Sequence, residues 1–203
     1  KCGYKSSNIC VADFLDIATD NSRKKYDYIY TNPPWGKKLA KEIRSSKGVQ
    51  LGAGNSIDTC SIFFFACLAS LKTDGTLGLL LPDSFFNIAV FEDARMQAVR
   101  LEIERLIDYG KAFKGLVTKA QAIVIKNTAA KLNSETECQF GGSYFNRKSS
   151  SFIKNPKTIL NLHCSEKDAA VLEYLYLHEH ITLKGRAKWG LGIVTGNNKK
   201  HIH

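Results

Sequence analysis

Along the 203-residue chain the apolar positions change period several times, and each change predicts an element. Asn8 to Ala12 (NICVA) and Tyr26 to Thr31 (YDYIYT) are short runs rich in β-branched and aromatic residues. Separated by the polar stretch TDNSRKK, they predict two neighbouring strands. From Asp58 the period becomes that of a helix, with Cys60, Phe63, Phe64, Cys67, Leu68 and Leu71 on one face, until the glycine turn at Thr73 to Gly75 ends it. Thr76 to Asp83 (TLGLLLPD) is nearly all apolar, as expected of a central strand covered on both faces, and it closes on a proline. A second helix is expected from Phe91 to Ile103, followed by strands at Arg105 to Gly110 and Ala120 to Asn127. The order strand, strand, helix, strand, helix, strand, strand is that of a doubly wound α/β domain ending in a β-hairpin.

After Asn127 the texture turns polar and rich in Ser, Asn and Lys, with one amphipathic helix expected at Ser165 to His178. This divides the chain into a first region, 1–130, a connecting segment, 131–157, and a last region, 158–203. Within Phe140 to Lys157 the aromatics Phe140, Tyr144, Phe145 and Phe152 alternate with Arg147, Lys148, Lys154 and Lys157. Two readings stay open: a surface offering cations to phosphates and rings to bases, or a polar hairpin whose aromatics pack on the domain. Gln50 to Ser56 (QLGAGNS) has no apolar strand before it and is expected to be a flexible loop.

The net charge of +10 changes the picture by favouring a polyanionic partner, although a merely basic surface gives the same number. The six cysteines show no paired spacing, and most lie in apolar runs, so neither a metal site nor a disulfide framework is expected and a reducing cytoplasm is. The five histidines lack acidic partners at metal spacing. The longest apolar run, Ile62 to Leu71, is too short to span a bilayer, and no membrane association is expected.

Chemistry concentrates in YIYTNPPWGKK, Tyr28 to Lys38. Pro33 and Pro34 supply no backbone donor, so they halt the ladder of the preceding strand and leave carbonyls free beyond its carboxyl end. Ligands of open α/β sheets bind there. The Asn32 amide oxygen and the Pro33 carbonyl form two close, rigidly held acceptors, the complement of one NH2 group, and Trp35 adds a flat face for a planar ring. Accepting both hydrogens of an aromatic amine draws its nitrogen toward sp3 and restores its nucleophilicity without a general base. A sulfonium methyl would then complete an in-line transfer by positioning and electrostatics. The plain reading of these residues is a rigid turn with a packed Trp. Asp83, after LLLP, either faces the same crevice or caps the next helix.

The sequence resembles the amino-methyltransferases that use S-adenosyl-L-methionine, whose catalytic motif is Asn/Asp-Pro-Pro-aromatic; the resemblance makes Asn32, Pro33, Pro34 and Trp35 the catalytic set. VADFLD is similar to the family segment that contacts the cofactor's adenine, which implies that role for Asp13 and Phe14. SIFFFACLASLKTDGTLGLLLPDSFF resembles the region after the motif in adenine-N6 DNA methyltransferases of restriction-modification systems. KAFKGLVTKAQAIVIKN resembles a later motif whose Phe stacks on the flipped adenine, here Phe113. WGLGIVTGNNKK, Trp189 to Lys200, is similar to the segment opening the target recognition domain in the type IIG and type I-like branch. The resemblance covers most of the chain, and the order of the pieces agrees. It implies a partial Rossmann-like sheet followed by the start of that domain, with double-stranded DNA as partner.

The sequence departs from the family in lacking the glycine-rich cofactor loop before VADFLD, and with it the strands that would flank YDYIYT. An unpaired edge on that strand is therefore expected, with either a missing N-terminal segment or a second subunit completing the cofactor site, and the isolated chain inactive. Relatives acting on guanine N2 of RNA or on protein glutamine share the motif, and a non-catalytic DNA-binding fragment is a third reading.

Overall fold

The computed structural model describes residues 9–190 except 21, 23, 37, 38, 55, 57, 116, 132, 184 and 189, so the Trp189 to Lys200 segment lies, apart from Gly190, outside the described residues. Six strands form one mixed sheet: β1 (Tyr26–Thr31), β2 (Leu71–Pro82), β3 (Leu101–Gly110), β4 (Ala120–Ala129), β5 (Glu135–Phe140) and β6 (Ser143–Lys148). Their order is β1-β2-β4-β3-β5-β6. β2 runs parallel to β1. β4 pairs antiparallel with both β2 and β3, and β5 is parallel to β3. The strands β1, β2, β3 and β5 therefore share a direction, and their carboxyl ends share one edge.

Between them lie α1 (Phe14–Thr19), α2 (Lys41–Gln50), α3 (Thr59–Ala69), α4 (Ser84–Asn87), α5 (Glu92–Ala98), α6 (Ser149–Ile153) and α7 (Glu166–Leu177). α3 starts where Asp58 accepts the Cys60 N–H at 2.8 Å, and it is apolar all round because it is covered on both sides. Cys60, Phe64 and Cys67 join the main core with Leu77, Leu79, Leu81, Ile123 and Ile125 of the sheet. Ile62 and Ala66 pack instead with Leu15 and Ala18 of α1. Each fully buried Phe of this core stabilises the fold by roughly 1.5–3 kcal/mol. A row of paired residues, Thr31, Leu79, Ile123 and Leu106, crosses the sheet on the covered face and ends at Cys138.

Several expectations are corrected. Residues 9–12 form no strand, and Ile9 and Val11 are exposed. The glycine turn at Thr73 to Gly75 does not separate α3 from the strand: β2 begins at Leu71, and the extra residues bulge between its pairings with Tyr26 and Tyr28, with Asp74 at φ 60°. α5 stops at Ala98, and Ile103 lies in β3. Lys41–Gln50 is helical where no helix was expected, and Lys47 ties it to Asp16 of α1 at 2.7 Å.

β2 is covered on one face only among the described residues. On the other, Tyr30, Gly78, Leu80, Ile107, Ala122 and Val124 line an open apolar trough of about 490 Å3. Glycine is required at 78, since a Cβ there would lie 2.3 Å from the Tyr30 ring, which rests on it.

Within 131–157, β5 and β6 extend the same sheet. The β5–β6 hairpin turns through Gly141 and Gly142, both at positive φ, as a two-residue hairpin loop requires. Of its basic residues, Arg147 is fully buried and unavailable to a phosphate: it donates to the Asn161 and Cys164 carbonyls at 3.0 Å and lies 4.5 Å over the Phe152 ring. Lys154 pairs with Glu173, while Lys148 and Lys157 stay exposed with Phe140 and Tyr144. α7 is where the period placed it, with Ser165 and Asp168 forming a capping box.

Candidate active site

Asn32 follows the last residue of β1 at the shared carboxyl edge, and its side chain is exposed. Pro33 is buried directly behind it, so the peptide carrying the second acceptor is packed in place. Among the described residues no hydrogen-bond partner takes up the Asn32 amide. Pro34 faces outward, and its carbonyl accepts from the Cys60 thiol at 3.4 Å. Gly36 at φ 65° turns the chain away with a backbone that favours glycine.

Trp35 folds back across β2, where its Nε1–H donates to the Leu80 carbonyl at 3.2 Å. Its ring meets Phe113, in the loop between β3 and β4, with centroids 5.6 Å apart and planes at 79°. Two loops 78 positions apart are thus brought to one crevice. Their rings touch edge to face, whereas a planar ligand stacked between them needs two contacts of about 3.5 Å, or about 7 Å in all. Such a ligand enters only if one ring swings aside. Trp35 is tethered through its indole N–H, whereas half-buried Phe113 sits in the loop before β4.

Asp13 and Phe14 lie at the free edge of β1, not in the Trp35–Phe113 crevice. Asp13 caps α1, its Oδ1 accepting the Leu15 N–H at 2.8 Å, and the residue is otherwise exposed. Phe14 leans on Phe63 at 6.0 Å and, with Cys10, Ile17, Tyr28, Ile29 and Tyr30, walls a concavity of about 420 Å3. β1 is an edge strand, with Tyr26, Tyr28 and Tyr30 exposed. Asp83 caps nothing with its side chain, although its backbone N–H donates to the Lys119 carbonyl at 3.0 Å and ties β2's end to the Phe113 loop.

Two further groups at this edge escape sequence reading. Cys60 is one, because its partner Pro34 is 26 positions away. The other is Asp108 near the end of β3, nearly fully buried, whose carboxylate contacts His163 at 2.5 Å and accepts the Gly110 N–H at 2.6 Å. Burial pushes its pKa up, but the hydrogen bonds from His163 and Gly110 outweigh that and hold the carboxyl below its usual range.

An open mixed sheet with Asn-Pro-Pro-Trp at its carboxyl edge, facing an aromatic loop from the antiparallel hairpin, defines a Rossmann-like methyltransferase fold. The chain belongs to the Eco57I restriction-modification methylase family, whose family model matches residues 5–114. It is 49% identical over 199 residues to the type II methyltransferase M.VspI of Vibrio sp. (strain 343), covering 98% of this chain and 48% of that protein, so the chain spans about half the length of that curated relative. Among solved structures it resembles a protein described as a modification subunit of a type I restriction enzyme from Vibrio vulnificus YJ016. That match has a TM-score of 0.57 and 12% identity, over 77% of this chain and 42% of that one. A type I restriction-modification assembly matches with a TM-score of 0.50 and 16% identity, over 80% and 31% of the two chains. At such identities these two matches concern the fold.

Proposed function

We propose that this chain carries the catalytic segment of a site-specific DNA methyltransferase that transfers a methyl group from S-adenosyl-L-methionine to N6 of an adenine turned out of the duplex, within a restriction-modification system. The observation that carries the reading is the exposed Asn32 on a buried Pro33 at the carboxyl edge of β1, with Trp35 and Phe113 in contact beside it. Asn32 Oδ1 and the Pro33 carbonyl accept the two amine hydrogens, and Pro34 holds the turn rigid. Trp35 and Phe113 stack on the base, Phe113 swinging out to admit it. The cost of unpairing is offset by stacking and by double-stranded DNA's attraction to a chain of net charge +10.

The concavity beside Phe14 suits the adenine end of the cofactor: its walls are mostly apolar, and Asp13, next in sequence to Phe14 and exposed, offers an acceptor for an exocyclic amine. When bound, the cofactor supplies an electrophilic methyl on sulfur that needs no further activation. A cradle for its methionine end comes, in this reading, from a further segment of the polypeptide or from a second subunit.

Replacing Asn32 by Ala in the full-length enzyme removes one of the two acceptors. Turnover is expected to fall by at least ~10²-fold, as when one preorganised polar group is removed from a transition state. DNA affinity should change little, since Asn32 meets only the amine. Labelled S-adenosyl-L-methionine with duplex DNA, followed by nucleoside mass spectrometry, is the assay. Near-native turnover in Asn32→Ala, or duplex DNA that carries no label at adenine N6, refutes the proposal.

A further inference from the structure

From the contact between α3 and the turn after β1, we infer that Cys60 is a positioning residue for the Asn32–Trp35 turn, acting as a neutral hydrogen-bond donor to the Pro34 carbonyl. The inference rests on the methyltransferase reading above. Cys60 is the second residue of α3, and its backbone is fixed by the Asp58 cap, whose Oδ1 takes its N–H at 2.8 Å. Its side chain is 1% exposed. Its sulfur lies 3.4 Å from the Pro34 oxygen. One side-chain atom of α3 thus meets the turn directly before Trp35.

Pro34 is exposed and starts no ladder, so nothing else among the described residues holds its carbonyl. With that carbonyl turned inward to Cys60, the neighbouring Pro33 carbonyl is the one left for a substrate amine. The thiol keeps its proton throughout: burial first, then the nearby Asp58 carboxylate, push its pKa up to about 12. It is a permanent donor and not a nucleophile. A thiol is a weak donor, so its value lies in orientation, and displacing a reacting group's partner by about 1 Å costs up to ~10²-fold in rate.

Packing alone makes the opposite forecast for conservative replacements. Val fills the cavity without donating, whereas Ser donates and leaves a small void. For a packing role Val is the better substitute; for a clamp it is Ser. In the full-length enzyme, C60V is expected to lower kcat about tenfold with KM for DNA unchanged, and C60S to stay within about threefold of the parent. Hydrogen exchange of a peptide spanning Asn32 to Gly36 supplies a readout independent of activity: exchange at the Trp35 and Gly36 amides should quicken in C60V and return toward the parent rate in C60S.

Parent-like kcat and exchange in C60V, or C60S as impaired as C60V, overturns the clamp. Should the parent enzyme transfer no methyl to DNA, the functional reading falls, while the exchange comparison still decides whether Cys60 holds the turn.

Discussion

Replacing Phe113 by Ala tests the crevice most directly, because the structure sets two opposing terms. In the free protein Phe113 meets the Trp35 ring edge to face at 5.6 Å, a contact worth about 0.5–1.5 kcal/mol beyond simple burial. Stacking on an extruded base is worth roughly 1–3 kcal/mol. The rings leave no gap for a base, so the first contact must be surrendered before the second is made. The net loss in base capture on Phe113→Ala is the difference, about 1 kcal/mol at the middle of the two ranges, or roughly fivefold in affinity for the flipped state. That is well below the loss a preformed sandwich would show. The free protein should also lose about 0.5–1.5 kcal/mol of stability, since Trp35 no longer has its partner. The assay is 2-aminopurine at the target position, titrated with parent and variant: fluorescence rises as the base leaves the stack. With a mispaired target base the difference should shrink, less unpairing energy then having to be offset. A loss beyond about a hundredfold in capture would show that the rings stand open in the working enzyme and refute the swing. No change in capture or stability would make Phe113 a bystander.

Arg95→Met should cost at least about 2 kcal/mol in urea denaturation, because the fully buried guanidinium donates to the Phe85 and Ile88 carbonyls at 2.7 Å and to Lys157 at 3.1 Å, and each orphaned buried acceptor costs about 1–3 kcal/mol, less the relieved burial of the charge. A midpoint within error of the parent would refute this. Asp108→Asn should flatten the acid limb of stability: the folded carboxyl titrates below its usual range, so its contribution is complete above about pH 4 and is lost as pH falls through that lowered value. Equal slopes for parent and variant in denaturation series from pH 5 to acid would show that the His163 contact contributes nothing.

Much of the fold is legible because the elements facing the core carry their own period. β4 and α7 fall where the pattern put them, and α3 and the second half of β2 do too, although β2 starts at Leu71 where the helix was expected to continue, since burial and pattern are one cause there. What misled was apolar character without a neighbour. NICVA has the composition of a strand, yet residues 9–12 find no ladder partner among the described residues and stay exposed. The converse holds for Lys41–Gln50, whose helix buries only Gly48 and is held by Lys47 reaching Asp16 and Thr19 at 2.7 and 2.8 Å. A helix with so slight an apolar face leaves no period to read. The β5–β6 hairpin, one of the two readings left open for Phe140 to Lys157, turns at Gly141 and Gly142, but alternate residues of its strands face an open surface, so its texture is as polar as a loop's.

The site divides along the same line. Asn32 to Trp35 is legible because proline chemistry is local: two residues without donors after an apolar strand force carbonyls into the open whatever lies around them. The machinery holding those carbonyls is not local. Pro34 is held by Cys60, Trp35 by Leu80, and Asp83's amide by Lys119, across 26, 45 and 36 positions. Nothing in a Cys at the second position of a helix, or a Leu in a strand, marks it as an anchor until the parallel pairing of β1 with β2 sets Thr31 against Leu79. That register fixes how far the turn reaches over β2, so the Trp35 indole N–H falls on the Leu80 carbonyl. The motif supplies the acceptors; the strand register aims them, and register is a property of the folded sheet.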